Sequence, residues 1–242
     1  MSPMLSTLVL SVSLALAATA GAADQAKSTS ADPDRADEEI MTSASFLSSH
    51  PDLRHRLLGL QAYAAGDDAE AFENFRRAAR YADKPSQAMV AEMYWAGRGV
   101  TRNRALGFVW MELASERGYK VMLAQRQRFL AELSDAEREE AVRLSRELFA
   151  EYGDEVAKPR MERQLRWGAR NTAGSRTGFV GNMQIRIPGP YGDVTVDGSQ
   201  FFADKFWKPE AYWAWQAEDW KELPKGRVDV GPLKSGTRPA DD

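Results

Sequence analysis

The 242-residue sequence contains no cysteine. That absence excludes disulfide frameworks, zinc-thiolate sites, iron-sulfur clusters, thiol catalysis and lipid attachment at an N-terminal Cys. Histidine is nearly as scarce: His50 and His55 are the only two. They lie five apart, not at the four-residue spacing that puts two ligands on one helix face. The sequence also lacks a G-x-S-x-G elbow, a Walker-type loop and a metal-ligand cluster. No catalytic residue, metal or cofactor is therefore expected. A net charge of -3, from 32 basic and 35 acidic residues, argues against nucleic acid as a bulk partner.

What is present begins with a targeting pattern. The run LSTLVLSVSLALAATA, residues 5–20, is uncharged and apolar, and Ala18-Thr19-Ala20 and Ala20-Gly21-Ala22 both fit small-x-small cleavage. It falls short of the roughly 20 apolar residues that span a bilayer. The expectation is a signal peptide over residues 1–22 and a mature chain, without a transmembrane span, in the periplasm or outside the cell. Residues 23–48 are then rich in acids (Asp24, Asp32, Asp34, Asp37, Glu38, Glu39) and lack apolar periodicity. They read as a disordered linker.

Helical periodicity starts at His50-Pro51, a sound first turn. Leu53, Leu57, Leu60 and Ala64 make one stripe, Gly66 stops the helix, and Asp67 or Asp68 caps the next. That second helix carries Ala71, Phe72, Phe75, Ala78, Ala79 and Ala82 on one side. A second hairpin follows, from Pro85 through the Gly97-Arg98-Gly99-Val100 loop to Arg117 and Gly118. Aligning the two second helices pairs Ala71 with Gly107 and Ala82 with Gly118, a period of 36. Two helices per unit at that period signal a repeat solenoid.

The string from Met89 to Tyr119 resembles the Sel-one-like repeat, a relative of the tetratricopeptide repeat. Val90-Ala91-Glu92-Met93-Tyr94 stands for the first part of that pattern, and Gly97, Gly99, Val100, Trp110, Ala114, Ser115 and Gly118 match the rest. The unit before it is looser, with Asn74 at the Trp position. The unit after it departs, opening its second helix with a Ser134/Glu137 capping box in the manner of a terminal cap. The resemblance covers residues 53–152. It implies an α-solenoid whose surface binds proteins or peptides, with Tyr94, Gly97, Gly99, Val100, Trp110, Ala114 and Gly118 shaping hairpins and core.

The C-terminal residues 154–242 read as a small, Trp-rich α+β region after a repeat domain over 49–153. Between 158 and 187, seven bases oppose Glu162 alone, and Arg163, Arg166 and Arg170 share a face of any helix formed there. The patch suits an acidic partner, lipid headgroups or wall polymers, or else pairs with the chain's own acids. Met183, Ile185 and Ile187, then Val194 and Val196, alternate like a small hairpin, and Val228 with Val230 could add an edge strand. Pro209 starts a helix holding Tyr212, Trp213, Trp215 and Trp220, which either stack on cell-wall glycan or build a core.

The expected whole is a mainly α protein acting as a non-enzymatic exported adaptor for an envelope protein or peptide. The alternatives are glycan binding by the Trp-rich region, or glycan hydrolysis by acids such as Glu139, Glu140, Glu210, Glu218 and Asp219.

Overall fold

Gly66 and Asp67 make the first reversal of the repeat array. In the computed structural model, which describes residues 33–172, 184–187 and 194–221, α3 (Pro51–Ala65) ends at Gly66 with φ of 82°. The Asp67 side chain then accepts from the Glu70 amide to cap α4 (Asp68–Ala79). Asp83 caps α5 (Lys84–Ala96), Gly97 ends it in the left-handed region, and Asn103 caps α6 (Arg104–Ser115). The third unit is α7 (Lys120–Glu132) and α8 (Asp135–Tyr152), the latter opened by the reciprocal Ser134/Glu137 capping box that the sequence signalled.

Small residues let the paired helices close on one another. Gly59 of α3 is the clearest case: a Cβ there would lie 2.7 Å from the Phe75 ring of α4. The packing line of α3 is therefore Leu53, Gly59 and Ala62, and the expected stripe through Leu57, Leu60 and Ala64 is corrected. Leu60 is 48% exposed. A leucine count misplaced the face because the glycine, invisible to apolar periodicity, is where the Phe75 ring sits. On α4 the expected side is the buried one, with Ala71, Phe72, Phe75, Ala78 and Ala79 in the core and Ala82 just beyond.

The main core joins these residues to Val90, Met93, Val109, Trp110, Leu113, Phe129 and Tyr152. Full burial of each large side chain contributes about 1.5–3 kcal/mol. The third unit departs from the pattern in a definite way: α7 and α8 both pack on α6 more closely than on each other.

Part of the expected linker is also corrected. Within residues 23–48, α1 (Pro33–Thr42) is helical and α2 (Ala44–Ser49) begins at Ala44. Ile40 and Phe46 are fully buried. Charge composition had masked two apolar anchors spaced six apart. Residues 1–32, including the expected signal peptide, lie outside the described residues.

Those anchors are covered by the other end of the chain. β1 (Gln184–Ile187) pairs antiparallel with β2 (Val194–Asp197), Ile185 opposite Val196. Two short helices, α10 (Gly198–Phe201) and α11 (Asp204–Trp207), follow. Ile187, Val196, Phe201, Phe206 and Trp207 then form one core with Ile40, Phe46 and Leu53. The expected small hairpin is present, while Met183 and the Val228/Val230 strand lie outside the described residues.

Two longer helices bind this terminal unit to the repeats. α9 (Asp154–Thr172) starts beside Arg117, which holds Asp154, and reaches Ser49 at Gly168. α12 (Pro209–Lys221) starts over Asp52 and ends with Trp220 against Tyr119. They run in opposite senses along one edge of the repeat array. Met161, Leu165 and Tyr212, all fully buried, fill the seam between them.

Candidate functional site

Among the described residues, chemistry concentrates in several regions. The first is the outer face of α9. Ala157, Met161, Leu165 and Gly168 recur at helical spacing and are buried, so the opposite face must look outward. Arg163, Arg166 and Arg170 lie on it and are exposed, as the sequence spacing implied. With Gln164 and Trp167 they line a hollow of about 430 Å³. Trp167 is 54% exposed, while Trp110 and Trp207 are buried and the other four tryptophans are half-buried. Sequence reading passed over Trp167, although its place between Arg163 and Arg170 puts it on the same face.

Arg166 lies 3.6 Å from Glu162, and Glu162 also accepts from the Trp213 indole at 3.1 Å. Among the described residues, Arg163 and Arg170 have no ion-pair partner. The other cations of α9 are used internally. Lys158 stands 5.0 Å over the Trp213 ring, and Arg160 donates to the carbonyls of Arg80 and Glu151.

The second region is α12. Trp213, Trp215 and Trp220 do not form one open face. Trp213 sits between Arg117, 4.7 Å from its ring centre, and Lys158. Trp215 meets Phe206 edge-on at 5.3 Å, and Trp220 leans on Tyr119 and the repeat core. All three are half-buried and serve three different packing clusters.

Beneath α12 is a sealed polar cluster that the sequence did not reveal. Tyr212 donates to Asp52, and Gln216 donates to the same carboxylate oxygen at 3.3 Å. Burial and the neighbouring Asp83 push the Asp52 carboxyl up to about 7, with Tyr212 and Arg56 pulling the other way. Arg56 in turn donates to Asp83 at 3.0 Å. His50, fully buried, has its ring nitrogens 2.8 Å from the carbonyls of Phe46 and Phe206. Its pKa is lowered by burial, which the two carbonyls partly offset.

A second buried network crosses the array at Lys84. Its ammonium donates to Gln87, to the Leu113 carbonyl at 2.7 Å and to Glu116 at 2.5 Å, and pairs with Asp154 at 2.9 Å. Burial would push Asp154 up, but Arg117 and Lys84 hold its carboxyl below the usual range. These groups are satisfied by one another and fasten three helix ends together.

The third region is the opposite edge, where a hollow of about 590 Å³ is lined by Arg102, Arg104, Glu137, Glu140 and Arg143. Four of its charges are mutually paired, Arg104 with Glu137 and Arg143 with Glu140, while Arg102 donates to the Trp95 carbonyl. Among the described residues no group of three or more acids or histidines could hold a metal ion, and no helix is long and apolar enough to cross a membrane.

The repeat residues carry the decisive geometry. Gly97, Gly99 and Gly118 all have φ near 70°, and a Cβ on Gly99 would sit 2.0 Å from the Asp68 carbonyl oxygen. Trp110 is buried against Tyr152 at 4.5 Å, Tyr94 meets Phe72 edge-on at 5.1 Å, Ala114 is fully buried and Val100 packs on the core. Residues 56–81 and 84–119 match the Sel1 repeat family.

The chain carries Sel1 repeats.

The two matched Sel1 repeats correspond to α3–α4 and α5–α6, with α7 and α8 extending the helical array beyond them. Among solved structures, the chain is similar to a protective antigen of uropathogenic Escherichia coli strains displaying an SLR fold, with 24% identity and a TM-score of 0.40. That likeness covers 46% of this chain and 25% of the antigen, so the chain spans about a quarter of the protein it matches. No curated protein matches the chain.

Proposed function

We propose that this chain is an exported, non-catalytic adaptor whose Sel1-repeat surface holds a protein partner of the cell envelope. The observation that carries the reading is a pair of exposed leucines on α3. This helix packs chiefly on α4 and also touches α2 and α9, and Leu58 and Leu60, two residues apart and so on opposite flanks of its buried line, stay 40% and 48% exposed. Leu123 of α7 and Val142 of α8 are further exposed apolar side chains on the helical array. Exposed apolar side chains on a rigid scaffold offer area that the core of a protein interface can bury. Of the motif residues, Trp110 and Ala114 are buried while Gly97, Gly99 and Gly118 turn exposed loops, so they shape the scaffold and not its specificity. The export half of the reading rests on the apolar, cleavable-looking run over residues 5–22.

The glycan reading at α12 has weaker support, because Trp213, Trp215 and Trp220 are held by intramolecular contacts and present no shared stacking platform. Glycan hydrolysis is weaker still: the carboxyl that burial pushes up, Asp52, is sealed beneath α12 and does not line a groove.

A photo-crosslinking residue at Leu58, with a control at Val142 on α8, tests the reading in the native envelope. Val142 is 75% exposed. A discrete partner captured from position 58 alone, and lost when Leu58 and Leu60 are changed to Glu, is the expected result. Identical captures from both positions, or capture that survives the Glu changes, would overturn it.

A further inference from the structure

We propose that the outer face of α9, carrying Arg163, Arg166, Trp167 and Arg170, seats the protein on a bilayer rich in acidic phospholipid. The face is fixed in space before any ligand arrives. A Cβ on Gly168 would stand 2.5 Å from the Ser49 side chain and 2.7 Å from the Trp207 ring, so α9 cannot roll about its axis. Met161 and Leu165 are locked into the seam with Tyr212 on the same inner side.

The chemistry of the outer face is selective. Five bases lie on α9 between Lys158 and Arg170; Lys158 and Arg160 are drawn into internal contacts, and the three arginines left over point outward. Glu162, on the same helix, is shared between Trp213 and Arg166. A local positive stripe thus persists on a chain whose net charge is -3. In its midst sits the most exposed tryptophan of the described residues. An indole flanked by guanidinium groups suits the headgroup layer, where the ring finds apolar contact and the cations meet phosphate.

The shape favours a planar partner. Every residue lining the 430 Å³ hollow comes from α9. A wall glycan is gripped in a cleft and an acidic peptide needs only the arginines, whereas a bilayer surface uses the one face with its cations and its exposed indole together. The stripe shares no residue with the α3 leucines proposed to bind protein, so the two proposals stand or fall separately.

Co-sedimentation of residues 23–242, which contain every described residue, with vesicles of phosphatidylcholine alone or mixed with half phosphatidylglycerol tests the inference. Binding to the mixed vesicles alone is expected, weakening steeply with salt. Arg163→Gln, Arg166→Gln and Arg170→Gln together should lower partitioning on the order of 100-fold, about fivefold per charge. Trp167→Ala should lower it several-fold without altering the salt dependence. Replacing Arg138, Arg143 and Arg146 on α8 with Gln removes the same charge elsewhere and should change little. Trp167 emission should shift to the blue on binding, and unchanged melting temperatures keep the comparison valid. Equal losses from the α9 and α8 variants, or no sedimentation with the acidic vesicles, would overturn the inference. So would binding to polyglutamate in place of the vesicles, which would make the face a protein-docking surface.

Discussion

Tyr212, on the last described helix, donates its phenol to Asp52 at the start of α3, 160 residues earlier, and both side chains are fully buried. The contact joins the repeat array to the terminal unit through one buried carboxyl.

Its consequence is a pH dependence of stability. Burial and Asp83 raise the folded Asp52 to about 7 from an ordinary 3.8. The folded state therefore holds a proton that the unfolded chain has lost between those values, and stability from this group falls as pH rises through about 7. His50 acts oppositely: its lowered value costs stability as pH falls below about 6.5. Asp52→Asn, which keeps the neutral form, should stabilise the protein relative to wild type at pH 8 and do so much less at pH 5. Thermal melts at both values check this, and an equal shift at both would refute it.

Lys84 bridges Glu116 and Asp154 with its own side chain wholly buried. Lys84→Met should cost about 3 kcal/mol, because it leaves the partly buried Glu116 without its cation and Asp154 with Arg117 alone. Urea unfolding measures the loss, and adding Glu116→Gln should recover part of it. A single variant as stable as wild type would show that the network contributes nothing.

Gly66 and Gly99 share a left-handed backbone but not the same surroundings. Nothing lies within 4 Å of a Cβ on Gly66, while one on Gly99 would overlap the Asp68 carbonyl. Gly66→Ala should cost about 1 kcal/mol from the backbone alone. Gly99→Ala should cost about 2–4 kcal/mol, since overpacking adds to that strain. Denaturant midpoints rank the pair, and equal costs would show that the loop yields freely.

Trp167 is the tryptophan most open to water in the described chain. Trp167→Phe should remove most of the red-shifted, acrylamide-quenched fluorescence and leave melting unchanged. Quenching that persists undiminished would mean that Trp213, Trp215 or Trp220 is far more exposed than its contacts imply.

The repeat hairpins were legible because their determinants are local. Gly66, Gly97 and Gly118 stop or turn helices, Asp67 and Ser134 cap them, and the small residues of α4 recur in α6 at a fixed spacing. The α9 arginines were legible as a face for the same reason. Trp167 escaped notice because exposure, not spacing, distinguishes it from six other tryptophans, and Lys84 because a buried lysine looks like any other in a string of letters.

The sequence by itself determined where helices start and stop in the repeat array and which of its residues recur, since a helix face and a cap depend on neighbours within one or two turns. Only the tertiary structure decided that Ile40 and Phe46 share a core with Phe201 and Phe206. It also decided that α12 lies over Asp52, and that one tryptophan of seven stays in water. Periodicity specifies a face but not its distant partner. That choice is made by fit and desolvation between segments up to 160 residues apart, where Gly59 and Gly168 admit a ring that any Cβ would exclude.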